Sequence, residues 1–255
     1  MRKVRGIYLK NSGEITIMRE ANRIVSVILD ALGEAVEPGV PTMRFEEIAQ
    51  KMCQDFGVKP AFQGYGGFPF ALCCSVNEEI VHGFPSVERV LDEGDIVSFD
   101  MGVVYKRFYG DSARTFGVGN VSQEATDLMK VTRESLLLGI EQAVVGNNLY
   151  DVSRSVQDYV ESRGYSVVRR FVGHGIGRKL HEKPEVPNFV PKGTMGPPLK
   201  AGMVLAIEPM VCIGTHDVEV LEDKWTAVTK DRKLSAHFEH TIAVTPEGPV
   251  ILSAS

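Results

Sequence analysis

Apolar residues recur at spacings of three and four in two separate stretches of the chain, which is the period of an amphipathic helix. The positions are Phe45, Ile48, Met52 and Phe56, ending at Gly57, and Leu149, Val152, Val156 and Tyr159, ending near Gly164. Glycine commonly closes a helix because it readily adopts the left-handed cap conformation. Each stretch follows a further helical pattern, and the first of these runs from Ile17 to Leu32 and stops before Pro38. The pattern therefore predicts a pair of helices in each half.

The segments that follow the two helix pairs have the apolar character of strands, and they resemble each other. LDEGDIVSFD, which ends at Asp100, aligns with LKAGMVLAIE, which ends at Glu208. Each has a leucine, two residues, a glycine and an apolar run closed by an acid. Helices followed by antiparallel strands, twice, predict an α+β fold in which equivalent strands face each other across a pseudo-two-fold axis. We expect a single domain over residues 1–255, with halves at roughly 15–120 and 121–255.

Two carboxylates lie within SFDMGVVYKRFYGDSA, which otherwise has the β-branched and aromatic residues of two short strands. A turn at residues 105–107 would place Asp100 and Asp111 opposite each other on one face, within about 5 Å between Cβ atoms. Such like charges repel, so one of them would bind a proton unless a cation lay between them. A bound cation is one interpretation. The other is that one acid is a surface turn residue and the pairing is accidental.

The composition is that of an ordinary globular protein, with 255 residues, 44% hydrophobic and 24% charged. A formal charge of −5 argues against sequence-specific nucleic-acid binding. The basic N-terminal segment MRKVRGIYLK is either a solvated end or a docking contact with an acidic surface such as the ribosome. No apolar run resembles a signal peptide or a membrane helix, so we expect a cytoplasmic protein. The four cysteines have no CxxC spacing, which suits a reducing compartment.

The second half adds two histidines and another acid in an apolar setting. Glu239 lies in SAHFEHTIAV, and His174 and His181 lie in FVGHGIGRKLHEKPEVP. The glycines beside His174 permit a close backbone approach or a positive φ, and we interpret GHGIG and GYGGF as loops that line a cleft. Taken alone, His174 could equally be an ordinary loop histidine.

These residues together form a metal-ligand set without a thiolate. The set comprises Asp100, Asp111, His174, Glu208 and Glu239. Four carboxylates and one imidazole suit a pair of divalent ions such as manganese, iron, cobalt or zinc, and not a structural zinc site built on cysteine. Two such ions about 3.5–4 Å apart would acidify a shared water and polarise a carbonyl.

Several motifs resemble those of a known family over about residues 17–252. They are VNEEIVHG, the hairpin from FD to GD, GHGIGRKLHEKP, IEPM and SAHFEHT. In them the chain resembles the type I methionine aminopeptidases, which have the pita-bread fold. The resemblance implies two pseudo-symmetric halves that share a curved antiparallel sheet with helices outside. It also implies removal of the initiator methionine from nascent proteins whose second residue is small.

The resemblance assigns roles to individual residues. The four acids and the histidine above would hold two ions, with Asp111 and Glu239 bridging them, and Glu208 would also shuttle a proton. His82 would contact the scissile amide or protonate the leaving nitrogen, and His181 would stabilise the tetrahedral oxyanion. The positions that match the methionine pocket are Phe62, Tyr65, Phe68, Cys73, Leu180 and Trp225. An aromatic stripe is, however, more often core than pocket.

Two alternatives share the fold. Xaa-Pro peptidases use the same five ligands but carry an additional N-terminal domain, whereas the first helical pattern here begins close to Ile17. A non-catalytic binding module would have lost ligands, and all five are present here. We expect a monomer that acts on the N-terminal methionine of nascent polypeptides and binds no membrane.

Overall fold

The computed structural model describes residues 2–4 and 6–254, and in it helices pack against antiparallel sheets. A short hairpin of strands β1 (Arg2–Val4) and β2 (Ile7–Leu9) comes first. The helices are α1 (Ser12–Glu34), α2 (Met43–Phe56), α3 (Gln123–Glu141) and α4 (Leu149–Glu161). Two helices before each group of strands confirm the order predicted from periodicity. The first hairpin was not predicted.

Local sequence sets the helix ends. The Asn11 side chain accepts the backbone N–H of Glu14, whose carboxylate accepts that of Asn11, and this capping box starts α1. The predicted stop of α2 is confirmed, because Gly57 follows it with a left-handed φ of 65°. No helix among the described residues combines the length and hydrophobicity of a membrane span.

The remaining strands form four sheets in which every strand pair is antiparallel. Strands from the first half are β3 (Lys59–Pro60), β4 (Leu72–Val76), β5 (Glu79–Val81), β6 (Ile96–Tyr105) and β7 (Phe108–Gly117). Strands from the second half are β8 (Ser166–Val167), β9 (Gly173–Gly175), β10 (Glu182–Val186), β11 (Val204–Ile207), β12 (Met210–Cys212), β13 (Val218–Val220), β14 (Ala227–Thr229), β15 (Ser235–His237), β16 (His240–Thr245) and β17 (Gly248–Ile251). Three of the sheets have the strand orders β10-β9-β11-β16-β17, β15-β12-β8 and β13-β14-β5. In the fourth, β3 and β4 pair with different parts of one edge of β6, and β7 pairs with its opposite edge.

The β6–β7 hairpin has a different register from the predicted one. Lys106 and Arg107, both with positive φ, form a two-residue turn, which is the turn geometry that matches the twist of a hairpin. Asp111 therefore lies opposite Gly102, and Asp100 lies two residues beyond Gly102 on the same strand. The predicted direct opposition of the two acids was wrong. They do share one face of the hairpin, on a diagonal.

Each helix pair covers strands of its own half. One apolar cluster joins α1 and α2 to β4 and β6, and a second joins α3 and α4 to β11 and β16. A third cluster contains residues from both halves, among them Phe68 and Leu180. This packing supports the internal repeat, while the division into halves at 15–120 and 121–255 stays a prediction.

Candidate metal centre and active site

One cavity of about 310 Å³ brings together all the site residues singled out in the sequence. They are Phe62, Tyr65, Phe68, Cys73, His82, Asp100, Asp111, His174, Leu180, His181, Glu208, Trp225 and Glu239. Both halves of the chain contribute, so the cavity lies where the halves meet.

Hydrogen bonds between side chains and backbone groups fix Asp111 and join its strand to the segment that carries Glu239. The N–H of Asp111 donates to Asn22 Oδ1 on α1 at 3.1 Å, and its carbonyl accepts from Thr241 Oγ1 on β16 at 2.8 Å. The neighbouring Ser112 Oγ donates to the carbonyl of Glu239 at 2.6 Å. Strand β7 of the first half is thus joined directly to the segment between β15 and β16, which carries Glu239.

His174 lies on strand β9 and not in a loop, so the loop interpretation of GHGIG was wrong. A Cβ atom at Gly173 would lie 2.4 Å from the carbonyl oxygen of Ala206. One at Gly175 would lie 2.3 Å from the carbonyl oxygen of Lys183. Neither glycine has a positive φ. They are needed because the neighbouring strands approach β9 too closely for any side chain at these positions.

The protonation of His174 follows from its hydrogen bond. Nδ1 lies 3.0 Å from the carbonyl oxygen of Gly175, which can only accept, so Nδ1 carries the proton. Burial lowers the pKa of His174 to about 3, and the ring is therefore neutral at pH 7. The unprotonated Nε2 lies 3.7 Å from Asp111 Oδ2 and 3.6 Å from Glu208 Oε1. A second hydrogen bond that fixes the tautomer is characteristic of a metal-ligating histidine.

The acids around His174 fit divalent cations. Asp111, His174 and Glu239 each offer a ligand atom within 4.8 Å of the others. Among the described residues, the buried atoms Asp100 Oδ1, Asp111 Oδ1 and Glu239 Oε1 have no hydrogen-bond partner. Buried carboxylate oxygens without a partner are costly, and a coordinated cation would satisfy them. Carboxylate oxygens with one imidazole nitrogen are ligands that manganese, iron, cobalt and zinc accept.

Without a cation, this cluster holds protons. Burial raises the pKa of Asp100 to about 7. Burial and the nearby acids raise the pKa values of Asp111, Glu208 and Glu239 well above their usual range. A carboxyl group must lose its proton before it can ligate, so cations and protons compete for the site.

Binding of Mn²⁺ is therefore expected to release protons and to weaken as the pH falls through about 7, where Asp100 gains its proton. Calorimetric titrations at pH 8 and pH 6, in buffers with different ionisation enthalpies, would measure both effects. An affinity that does not depend on pH, with no protons released, would contradict this description of the cluster.

Two further histidines face the cavity as neutral rings. His82 follows β5 with a φ of 62°, and burial lowers its pKa to about 4. Its ring stands edge-on to Phe171, with centroids 5.2 Å apart. His181 precedes β10, and its ring centroid lies 4.3 Å from that of His174. Burial also lowers the pKa of His181. Both side chains can donate a hydrogen bond at pH 7 without carrying charge.

A hydrogen bond also orients His181. Its Nδ1 lies 2.7 Å from the hydroxyl oxygen of Tyr65. If the hydroxyl donates, the ring proton sits on Nε2, which is the arrangement an oxyanion donor requires. Tyr65 is 44% exposed, so it lies at the mouth of the cavity.

The apolar wall of the cavity belongs to the core as well. Phe68 packs edge-on against Trp225, with centroids 5.2 Å apart, and against Phe84 at 5.4 Å. Phe62 and Leu180 lie in the same apolar cluster and are buried. The alternatives of core or pocket are therefore not exclusive, because these side chains pack on each other and also line the cavity.

Sequence reasoning missed several lining residues, among them Val81, Phe171 and Val172. Phe171 stands three residues before His174 and packs on His82. Its position beside the GHG motif was the only available signal. Gly66 also lines the cavity, and a Cβ atom there would lie 3.3 Å from the Trp225 ring.

Residues 16–246 match the model of metallopeptidase family M24. The chain belongs to metallopeptidase family M24. Methionine aminopeptidases from Clostridium perfringens and Clostridium acetobutylicum are 54% and 51% identical to this M24 metallopeptidase over 247 residues. Each alignment covers 97% of this chain and 98% of the relative. These relatives confirm the resemblance found in the sequence motifs.

Solved structures confirm the fold of this M24 metallopeptidase. A methionine aminopeptidase from Thermotoga maritima superposes with a TM-score of 0.95 at 47% identity, over 98% of this chain and 100% of that one. A prolidase from Pyrococcus furiosus superposes with a TM-score of 0.79 at 21% identity, over 97% of this chain and 65% of that one. At that identity the prolidase shares the pita-bread fold and supports no statement about activity.

Proposed function

We propose that this M24 metallopeptidase removes the N-terminal methionine from nascent polypeptides whose second residue is small. One observation carries the proposal: a buried cluster of four carboxylates and one imidazole opens into the same cavity as an aromatic and apolar pocket. The cluster suits hydrolysis of an amide bond, and the pocket suits an unbranched thioether side chain. The names of the similar proteins agree with this substrate.

The acidic cluster would hold two divalent ions. Asp100, Asp111, His174, Glu208 and Glu239 would be the ligands, and the resemblance in the sequence motifs assigns Asp111 and Glu239 to both ions. When bound, the ions acidify a water molecule and polarise the scissile carbonyl. Manganese, iron, cobalt and zinc all suit this ligand set, so supply within the cell selects among them.

The protein's own groups would handle the protons. Glu208 would accept a proton from the attacking water and pass it on, since its carboxylate lines the cavity and its Oε1 lies 3.6 Å from Nε2 of His174. His82 contacts the scissile amide and passes a proton toward the leaving nitrogen. His181 donates from Nε2 to the oxygen that becomes negative, with Tyr65 holding its other nitrogen.

The apolar residues would select the first side chain. The cavity lining includes Phe62, Tyr65, Phe68, Cys73, Leu180 and Trp225, and these residues would surround the methionine side chain. A hydrophobic pocket separates side chains that differ by one methylene by only about 1–3 kcal/mol, so selectivity must come from shape. A narrow slot of rings accepts an unbranched chain and excludes a β-branched one.

A peptide panel tests this function. Met-Ala and Met-Gly peptides should be cleaved efficiently, and Met-Lys and Met-Phe peptides poorly, because a bulky second side chain meets the cavity wall near His82. At the first position, norleucine should replace methionine with little loss and valine should not. Equal rates across the four methionine peptides, or preferential cleavage of Xaa-Pro peptides, would refute the proposal.

We also infer that the enzyme acts in the cytoplasm, as a monomer, on chains that emerge from the ribosome. Four free and buried cysteines suit a reducing compartment.

For the basic N-terminal segment, the solvated-end interpretation is wrong at Lys10, whose side chain is 1% exposed. Arg5 lies outside the described residues. Cosedimentation with ribosomes, and sedimentation of the free protein, test the contact and the monomer.

A further inference from the structure

Lys10 forms an ion pair with Glu182 that is buried from solvent. Its Nζ lies 2.7 Å from Glu182 Oε2, and the two side chains are 1% and 2% exposed. Burial lowers the pKa of Lys10, and the pairing with Glu182 opposes that shift. The backbone N–H of Lys10 donates to the carbonyl of Gly202 at 2.7 Å, which anchors this segment to the second half.

The other oxygen of Glu182 holds the turn that leads into Leu180 and His181. Glu182 Oε1 accepts the backbone N–H groups of Arg178 at 2.9 Å and Lys179 at 3.3 Å. One carboxylate therefore joins the N-terminal segment to this turn. Two cavity residues lie between the turn and the start of β10 at Glu182.

Gly177 shows how closely the turn lies against the ion pair. A Cβ atom there would lie 2.5 Å from Lys10 Cε and 2.7 Å from Glu182 Oε1. The carbonyl of Gly177 also accepts the N–H of Tyr109 on β7 at 2.9 Å. The turn therefore packs against the Lys10–Glu182 ion pair and is hydrogen-bonded to β7.

We propose that Lys10 is a positioning residue of the active site, which acts through Glu182 to hold Leu180 and His181 in place. The proposal rests on the proposed function for its catalytic consequence. Lys10 does not line the cavity itself. Without its ammonium group, the buried Glu182 carboxylate loses its ion-pair partner, and an unpaired buried charge is costly. Movement of the carboxylate toward water would relieve that cost and weaken its hold on Arg178 and Lys179.

Amide hydrogen exchange tests the structural step without any assay of activity. In the parent protein, the amides of Arg178 and Lys179 should exchange slowly. Lys10→Met should accelerate both, while the amides of β6 and β7 stay protected. Adding Glu182→Gln should restore protection, because glutamine keeps the accepting Oε1 and leaves no unpaired charge. The matched control is Lys51→Met, since Lys51 is 74% exposed in its pair with Asp55. Unchanged exchange in Lys10→Met would overturn the proposal.

A double-mutant cycle with His181 tests the catalytic step. Lys10→Met should lower kcat on a Met-Ala peptide by about 10–100-fold, the scale of an outer supporting partner, with metal content unchanged. His181→Ala should then cost less in the Lys10→Met protein than in the parent, since the histidine is already misplaced. Strictly additive losses would refute positioning of His181 by Lys10. A parent protein that does not cleave the peptide would refute the proposed function, and the exchange experiment would still decide the role of Lys10.

Discussion

Asp111→Asn should lower the turnover of a Met-Ala peptide by at least about 10³-fold, beyond the 10–100-fold that is typical for partners outside the metal shell. The substitution keeps the shape of the side chain but removes a negative charge from the cluster with His174 and Glu239. Divalent ions bound there would be held less tightly and would acidify a water molecule less strongly. Metal content and turnover, measured on the same preparation, would check this result.

The fold should survive this change. The backbone bonds of Asp111 to Asn22 and Thr241 do not involve its side chain. Burial raises the pKa of Asp111 well above its usual range, so near pH 7 the metal-free fold must keep this acid protonated at a cost in free energy. Asparagine avoids that cost, so the metal-free variant should melt no lower than the metal-free parent. The matched control is Asp158→Asn on the exposed face of α4, which should change neither property. A variant that binds two ions and keeps near-parental turnover would rule out Asp111 as a bridging ligand.

His82→Ala and His181→Ala should each reduce turnover by roughly 10²–10⁴-fold, the scale of a positioned proton donor or oxyanion donor. Their metal content should stay at the parental level, because neither residue belongs to the cluster formed by Asp111, His174 and Glu239. Steady-state kinetics and metal analysis of both variants provide the measurement.

Two further variants sharpen this test. Tyr65→Phe removes the hydroxyl beside His181 Nδ1 but leaves the ring, so it should cost less than His181→Ala. The matched control is His216→Ala, since the His216 side chain is 41% exposed. Loss of metal in parallel with activity in His181→Ala would instead make His181 a ligand.

Much of the architecture could be predicted because its signals are local. The spacing of Phe45, Ile48 and Met52 predicted α2, and Gly57 predicted its end. The motif shared by the segments that end at Asp100 and Glu208 predicted the repeated order of helices and strands. Periodicity and cap chemistry act within one or two turns of chain, so the sequence alone carries them.

One error arose from the type of a local turn, and two arose where a distant part of the chain decides the outcome. The two-residue turn Lys106-Arg107 sets the β6–β7 register, so Asp100 lies opposite Ala113 and not opposite Asp111. The glycines beside His174 looked like a loop, because sequence cannot show that a Cβ atom at either position would lie within 2.4 Å of a carbonyl oxygen of Ala206 or Lys183. Lys10 looked like part of a solvated end, because its partner Glu182 lies far along the sequence.

The candidate site divides in the same way. Sequence by itself determined which residue types were available: acids in apolar strands, a histidine between glycines and a set of aromatic residues. Tertiary structure decided that they line one cavity, that Nε2 of His174 faces the acids, and that His181 meets Tyr65. The physical reason is that donor chemistry belongs to each residue. Distance and burial instead depend on long-range packing, which brings β7, β9 and the β15–β16 segment to the same place.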